Sequence, residues 1–217
     1  NQAELRRSRI KDSKKFVLGS ARFSKEWFDE LKRVYSPINI KQKNKLNVLL
    51  LAEKDGRQIG DHFVPDIYAN KIKEVVKYLS SEKKINLIIK HHPSRTGQFG
   101  TDDFGPYASK EASHIFRDQE GSTFQLVHEC DLILTTFSSA VIDAFLSKKL
   151  VLVLEFASPY KLVYRKYDDI KSVTSVSNLV EFIRKALEGT LNQTISDYEN
   201  FLEEYVEKNP PNLDNYY

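Results

Sequence analysis

Along this chain, short apolar runs alternate with longer stretches in which apolar residues return every three or four positions. The runs predict strands at 14–20 (KKFVLGS), 46–53 (LNVLLLAE), 85–93 (INLIIKHHP), 131–135 (DLILT) and 150–156 (LVLVLEF). The periodic stretches predict helices between them. Residues 24–35 place Trp27, Phe28, Leu31 and Val34 at helical spacing behind Ser24 as N-cap. Residues 66–83 carry Ile67, Ile72, Val75, Val76 and Leu79 on one stripe. Further helices are expected at 122–130, from Ser138 to about Lys148, at 175–189 with Gly189 closing the last turn, and at 195–208 ahead of a frayed tail. Residues 94–112 hold three of the eight glycines and little apolar periodicity, so a long functional or mobile loop is expected there.

Five apolar strands separated by helices, with no Asn-Gly hairpin signal, predict an α/β fold: a doubly wound, mostly parallel, Rossmann-like sheet with helices on both faces. The expected organisation is a linker or terminal segment at 1–13, one nucleotide-binding domain at 14–190, and a C-terminal helix and tail at 191–217. Sheets of this kind bind ligands outside the carboxyl ends of their strands. That rule directs attention to 19–25, 53–60, 91–97, 135–139 and 155–160.

Within those windows the chemistry-bearing residues are few. Thr135, Thr136, Ser138 and Ser139 sit where an apolar run hands over to a helix, whose free N–H groups favour an anion. A serine cap with a neighbour satisfying local backbone would explain the same residues without a ligand. In KHHPSRTG the two histidines point to opposite sides of an extended chain, which disfavours a shared metal. His92, beside Pro93, is the candidate for the cleft, and Arg95 offers a planar fork to phosphate. Asp143, one helical turn beyond Ser139, could accept hydrogen bonds from a ribose diol, or be a solvated helix residue. Glu155 closes the fifth run, and Ser20, Arg22 and Ser24 cluster at the end of the first.

Composition narrows the classes further. Hydrophobic residues at 41% and charged residues at 29% describe an ordinary globular chain. No apolar run approaches the roughly 20 residues of a membrane helix. The net charge of +3 is mild; the basic runs at 6–15 and 41–45 lack the aromatic interleaving of a nucleic-acid surface, so none is expected to bind there. The one cysteine, Cys130, precedes a buried-looking run and reads as an inert core thiol, with no disulfide and no zinc spacing. The chain has no G-x-S-x-G elbow, no phosphate-binding GxxxxGK[ST] loop and no GxGxxG after its first strand. The acidic pairs at 101–103 and 167–169 are weak metal signals in a lysine-rich chain. Methionine is absent even at position 1, so a processed or excised piece is expected, or a chain whose modified residues go unwritten.

The stretch CDLILTTFSSAVIDAFLSKKLVLVLEF resembles the nucleotide-binding C-terminal half of GT-B glycosyltransferases, near the bacterial CDP-glycerol glycerophosphotransferases and the capsule and surface-polysaccharide transferases. In that group an aspartate opens a strand, a Ser-Ser pair starts a helix, an acidic residue follows, and another apolar strand comes next. LIIKHHP is similar to the group's strand ending in His-Pro, and LGSARFSKEW to the start of the same half, so the likeness runs over about 14–190. Leu150 departs from it, standing where the group usually has proline. The resemblance implies that Ser138, Ser139 and His92 hold a donor's pyrophosphate and that Asp143 takes the ribose-binding acidic position. It implies a nucleotide-activated sugar or glycerol donor, no cofactor and no metal, and a cytoplasmic site, with peripheral association at the inner face of the membrane as a further option. It also implies a missing N-terminal acceptor half, and it leaves the catalytic base unassigned. A sugar-nucleotide epimerase-like domain and a non-catalytic α/β binding module remain as alternatives.

Overall fold

The structure is a computed structural model and describes residues 25–52, 65–91, 113–116, 122–136, 138–157 and 171–192. In chain order these form α1 (Lys25–Val34), β1 (Leu46–Ala52), α2 (Pro65–Ser81), β2 (Ile85–His91), β3 (Ser113–Phe116), α3 (Thr123–Glu129), β4 (Leu132–Thr135), α4 (Ala140–Leu146) and β5 (Leu150–Leu154). A 3-10 turn (Glu155–Ala157), β6 (Lys171–Val173) and α5 (Val176–Leu187) complete them. The strands at 14–20, the loops at 53–60 and 94–112, and the helix at 195–208 that the sequence predicts lie outside the described residues.

The strands make one six-stranded sheet in the order β3-β2-β1-β4-β5-β6, and every adjacent pair is parallel. The α/β doubly wound expectation holds. Two strands, β3 and β6, were not expected, because each is four residues or fewer and mixes polar with apolar positions (SHIF, KSV). The fifth apolar run also ends sooner than its hydropathy suggests: Glu155 is not the end of a strand but the first residue of the 3-10 turn.

Alternation along the strands divides the core in two. Val48, Leu50, Leu87, Ile89, Leu132, Leu134, Leu152 and Leu154 face the helix pair α2 and α5, which bury Ile72, Val75, Val76 and Leu79, and Leu179 and Ile183, against them. Leu49, Leu51, Ile88, Ile133, Val151 and Val153 face the other way, onto Leu126 and Val127 of α3 and Val141, Ala144 and Phe145 of α4. Buried strands covered on both faces read as continuous apolar runs rather than alternating ones, which is why they stand out in the sequence. Cys130 lies fully buried in this second layer, and burial pushes its thiol well above the ordinary value, as expected of an inert core residue. Helix α1 joins that layer through Phe28, whose ring meets Phe124 edge-on at 4.9 Å.

Helix ends follow local chemistry. Ser175 caps α5, its Oγ accepting from the backbone N–H of Asn178 at 3.1 Å. Gly189, at φ 69°, carries the left-handed turn that ends the same helix, and Thr190 N–H then reaches the Lys185 carbonyl at 2.8 Å.

Candidate functional site

The chain leaves β1 in one direction to build β2 and β3, and returns on the other side to build β4, β5 and β6. The order therefore reverses between β1 and β4, which is the switch point where doubly wound sheets open a crevice at the carboxyl ends of their strands. The ends of β2, β1 and β4 lie at or beside that point.

Their levels follow from the register. Lys90 pairs with Leu51, and His91 with Ala52. Leu50 pairs with Leu134, so the next steps put Thr135 beside Leu51 and Thr136 beside Ala52. Thr135 pairs in turn with Val153. The last two levels of the sheet thus read Lys90–Leu51–Thr135–Val153 and His91–Ala52–Thr136–Leu154. At these levels β1 ends in apolar residues, and both of its neighbours end in polar ones. All four polar residues are buried, Thr135 entirely and the others to within 4% exposure.

Burial of this kind needs partners. The hydroxyls of Thr135 and Thr136 have none among the described residues. Ser138 Oγ accepts weakly from Ala140 N–H, at 3.3 Å, at the start of α4. Ser139 occupies the N-cap position, is exposed, and makes no side-chain capping bond. One serine therefore does the local work of the turn and leaves the other presented to solvent.

The fold brings together Thr136, Ser138 and Ser139 on the turn from β4 to α4, with Glu155 just past the end of adjacent β5. Asp143 lies one turn into α4, buried rather than solvated, as does Glu155 beyond β5. Its carbonyl accepts from Ser147, from N–H at 3.0 Å and from Oγ at 2.7 Å, at the helix C-terminus. His92, Arg95, Ser20 and Arg22 lie outside the described residues. Sequence reasoning singled out Thr135 with Thr136 but passed over Lys90 and His91 as site residues. Their signal was present in the polar residues that interrupt the apolar runs at their carboxyl ends. Among the described residues, no group of three His, Cys, Asp or Glu side chains is placed to hold a metal ion. Among the same residues, no helix is long and apolar enough to cross a membrane.

The opposite edge of the sheet is closed by side chains. Asp131 accepts from Asn47 N–H at 3.0 Å, from Asn47 Nδ2 at 2.8 Å and from Lys41 Nζ at 3.0 Å. Asn86 Nδ2 donates to Asn47 Oδ1 at 2.9 Å and to the Ile40 carbonyl at 2.8 Å. Burial raises the Asp131 carboxyl, but the bonds from Asn47 and Lys41 outweigh it and hold the group below the ordinary carboxylate value.

This is the architecture of one Rossmann-like half of a GT-B-like fold. Among solved structures, a variant of the wall teichoic acid polymerase TagF superposes on 88% of the chain at 13% identity and a TM-score of 0.54, over 45% of its own length. A putative UDP-N-acetylglucosamine 2-epimerase from Listeria monocytogenes matches 91% of the chain at 15% identity and a TM-score of 0.52, over 48% of its length. The UDP-GlcNAc 2-epimerase of Neisseria meningitidis, bound to UDP-GlcNAc, matches 88% at 16% identity and a TM-score of 0.50, over 47% of its length. The chain spans about half the length of each. No protein-family model matches it, and no curated protein does.

Proposed function

We propose that this chain is the donor-binding domain of a glycosyl- or glycerophospho-transferase of bacterial surface-polysaccharide synthesis. Its ligand is a nucleotide-diphosphate-linked sugar or a CDP-glycerol-type donor. The observation that carries the reading is the polar end of β4, where Thr136, Ser138 and Ser139 border the switch point of the sheet. A diphosphate needs more hydrogen-bond donors than a helix cap uses, and here one serine hydroxyl and two threonine hydroxyls remain beyond the local turn. His92 and Arg95, which continue the chain from β2, and Ser20 and Arg22 are assigned to the same phosphates, and Asp143 to the ribose. Glu155 is a further residue of the cleft. The wall teichoic acid polymerase among the fold's neighbours supports transfer chemistry on a surface polymer. Helix N–H groups, hydroxyls and basic side chains stabilise the leaving nucleotide, with neither cofactor nor metal ion required. The acceptor and the catalytic base belong to a second, N-terminal half. Such donors place the reaction in the cytoplasm, at the inner face of the membrane.

Titration of the full chain against CDP, UDP, GDP and ADP, followed by thermal unfolding, tests the reading. A ligand at 100 times its Kd adds about 2.7 kcal/mol of stability. At 2–4 °C per kcal/mol for a chain of this size, the midpoint rises by about 5–10 °C. Changing Ser138 and Ser139 together to alanine should abolish most of that shift while leaving the unliganded midpoint within about 2 °C. A flat response to the whole panel would overturn the assignment and favour a non-catalytic binding module.

The epimerases among the neighbours favour a second reading, an epimerase-like domain using Asp143 and Glu155 as acid and base. Isomerisation of a nucleotide sugar with no acceptor present distinguishes it from transfer.

A further inference from the structure

The amino edge of the sheet concentrates positive charge. Four segments lead into its central strands: 41–45 (KQKNK) into β1, 82–84 (EKK) into β2, 129–131 (ECD) into β4 and 147–149 (SKK) into β5. They hold seven lysines and three acidic residues, so half of their positions are lysine, against 33 lysines and arginines in all 217 residues. Because the strands are parallel, all four segments meet at one edge. Lys45 and Lys84 immediately precede the paired level Leu46–Ile85, and Asp131 and Lys149 the level Leu132–Leu150. Strands lie about 4.8 Å apart, so from β2 to β5 the lysines span about 14 Å.

The acidic residues leave most of this charge unmatched. Asp131 takes Lys41 at 3.0 Å and otherwise binds Asn47. Lys149 Nζ donates to the His128 carbonyl at 2.8 Å, and burial and then repulsion from Lys41 hold its ammonium below the ordinary value. Lys43, Lys83, Lys84 and Lys148 are exposed and Lys45 partly so, and none of the five makes an ion pair among the described residues. Helix dipoles favour lysines past the ends of α2 and α4, but Lys43 and Lys45 follow no helix end, α1 having closed at Val34. Lys148 is a separate sign. At φ 53° it is the one non-glycine residue with positive φ among the described residues. It holds the left-handed position past α4, its N–H bonded to the Phe145 carbonyl at 2.8 Å and the Lys149 N–H to that of Ala144 at 2.9 Å. Glycine is the unstrained residue there, so the turn does not account for a lysine.

We infer that the amino edge of the sheet is a docking surface for an anionic phospholipid bilayer, with Lys43, Lys45, Lys83, Lys84 and Lys148 meeting its headgroups. All seven basic residues of the edge are lysine and none is arginine. An ammonium is a hydrated point charge without the planar fork that fixes a single phosphate, so the set suits a diffuse plane of charge better than one defined ligand. Each lysine brought to an anionic leaflet raises affinity about fivefold. The inference rests on the reading above for the presence of a membrane and on nothing at the donor site. The crevice lies at the other end of the strands, so lipid and nucleotide bind independently.

The test is co-sedimentation of the full chain with vesicles of phosphatidylcholine alone and of phosphatidylcholine with phosphatidylglycerol. The chain should bind only the anionic vesicles, and more weakly as salt rises. Changing Lys43, Lys45, Lys83 and Lys84 together to glutamine should weaken that binding about a hundredfold or more. Lys83→Gln with Lys84→Gln, expected to cost about twentyfold, decides the matter if the fourfold variant does not fold. Lys148→Gly should weaken binding about fivefold and raise the melting temperature, since it removes charge and strain together. A control variant takes the same charge from α1 and α2 (Lys32, Arg33, Lys71 and Lys73 to glutamine) and should stay within about threefold of wild type. Failure to bind anionic vesicles overturns the inference. Equal losses in the control and edge variants do so too, because net charge alone would then explain the binding. Tighter binding to a short DNA duplex than to the vesicles would make the edge a nucleic-acid surface and overturns it as well. Nucleotide titration separates the two readings: a chain that binds nucleotide but no vesicle loses this inference alone, and one that binds vesicles but no nucleotide keeps it while the donor reading fails.

Discussion

Replacing Asp131 by alanine perturbs the amino edge of the sheet, and its cost can be worked out bond by bond. The substitution takes away the acceptor of Asn47 N–H, and Asn47 is 1% exposed, so water cannot readily replace it. A buried donor left without a partner costs about 1–3 kcal/mol. Asn47 Nδ2 loses less, because it keeps the Gln42 carbonyl at 3.3 Å and the Lys45 carbonyl at 3.1 Å. The ion pair with Lys41 is largely solvated and worth about 0–1 kcal/mol. The sum is about 2–3 kcal/mol, or a midpoint lower by about 5–10 °C in a chain of this size.

The pH dependence has a definite sign. Asp131 is held below its ordinary value in the folded chain, with burial opposing and the bonds from Asn47 and Lys41 prevailing. Its contribution is therefore fully present above the unfolded carboxylate value of about 3.9 and disappears as pH falls through the lower folded value. Thermal melts of wild type and Asp131→Ala at pH 7, 5 and 3.5 should show a constant gap at the first two and a narrower one at the third. A gap below about 1 °C at pH 7, or one that widens in acid, refutes the reasoning. Nucleotide affinity should not change, because this edge lies a strand's length from the crevice.

Two further outcomes follow from the core and from the end of β4. Phe145→Ala should destabilise the chain by about 3–5 kcal/mol in urea unfolding, since Phe145 is 1% exposed between α4 and the sheet. Thr135→Val should raise the melting point of the unliganded chain by about 2–4 °C in a thermal melt, or about 1 kcal/mol, because it removes a buried hydroxyl that has no partner among the described residues; a lower melting point would show that the hydroxyl is already satisfied.

The central strands were legible because burial on both faces writes an uninterrupted apolar run, as in LNVLLLA and INLIIKH. Helices α2 and α5 were legible from their stripes, and α5 also from Ser175 and Gly189 at its ends. The edge strands β3 and β6 were not. Among the described residues each pairs on one side only, so tertiary pairing, and not any pattern of its own, makes SHIF and KSV extended. Of the candidate site, Thr136, Ser138 and Ser139 could be placed from the sequence, since a strand–turn–helix junction is a local event. Thr135 was legible at the same junction, whereas Lys90 was not, because its place beside β1 depends on a register between strands that are distant in the chain.

The two ends of one sheet face carry similar polarity and treat it in opposite ways. At the amino end, Asn86, Asn47 and Asp131 stand side by side on β2, β1 and the approach to β4, and bind one another. The middle level, Ile88–Leu49–Ile133–Val151, is sealed and apolar. At the carboxyl end, Lys90 and Thr135 stand on the same two outer strands, but Leu51 separates them and offers no hydrogen bond from its side chain. Polar residues that served only to fix the register would be expected to satisfy each other, as the amino-end set does. At the carboxyl end the Thr135 hydroxyl is left without a partner among the described residues, at the end of the sheet where doubly wound folds bind ligands. Stability accounts for the first arrangement and not for the unpartnered hydroxyl of the second, and that difference is a physical reason to look for the proposed ligand at the end of β4.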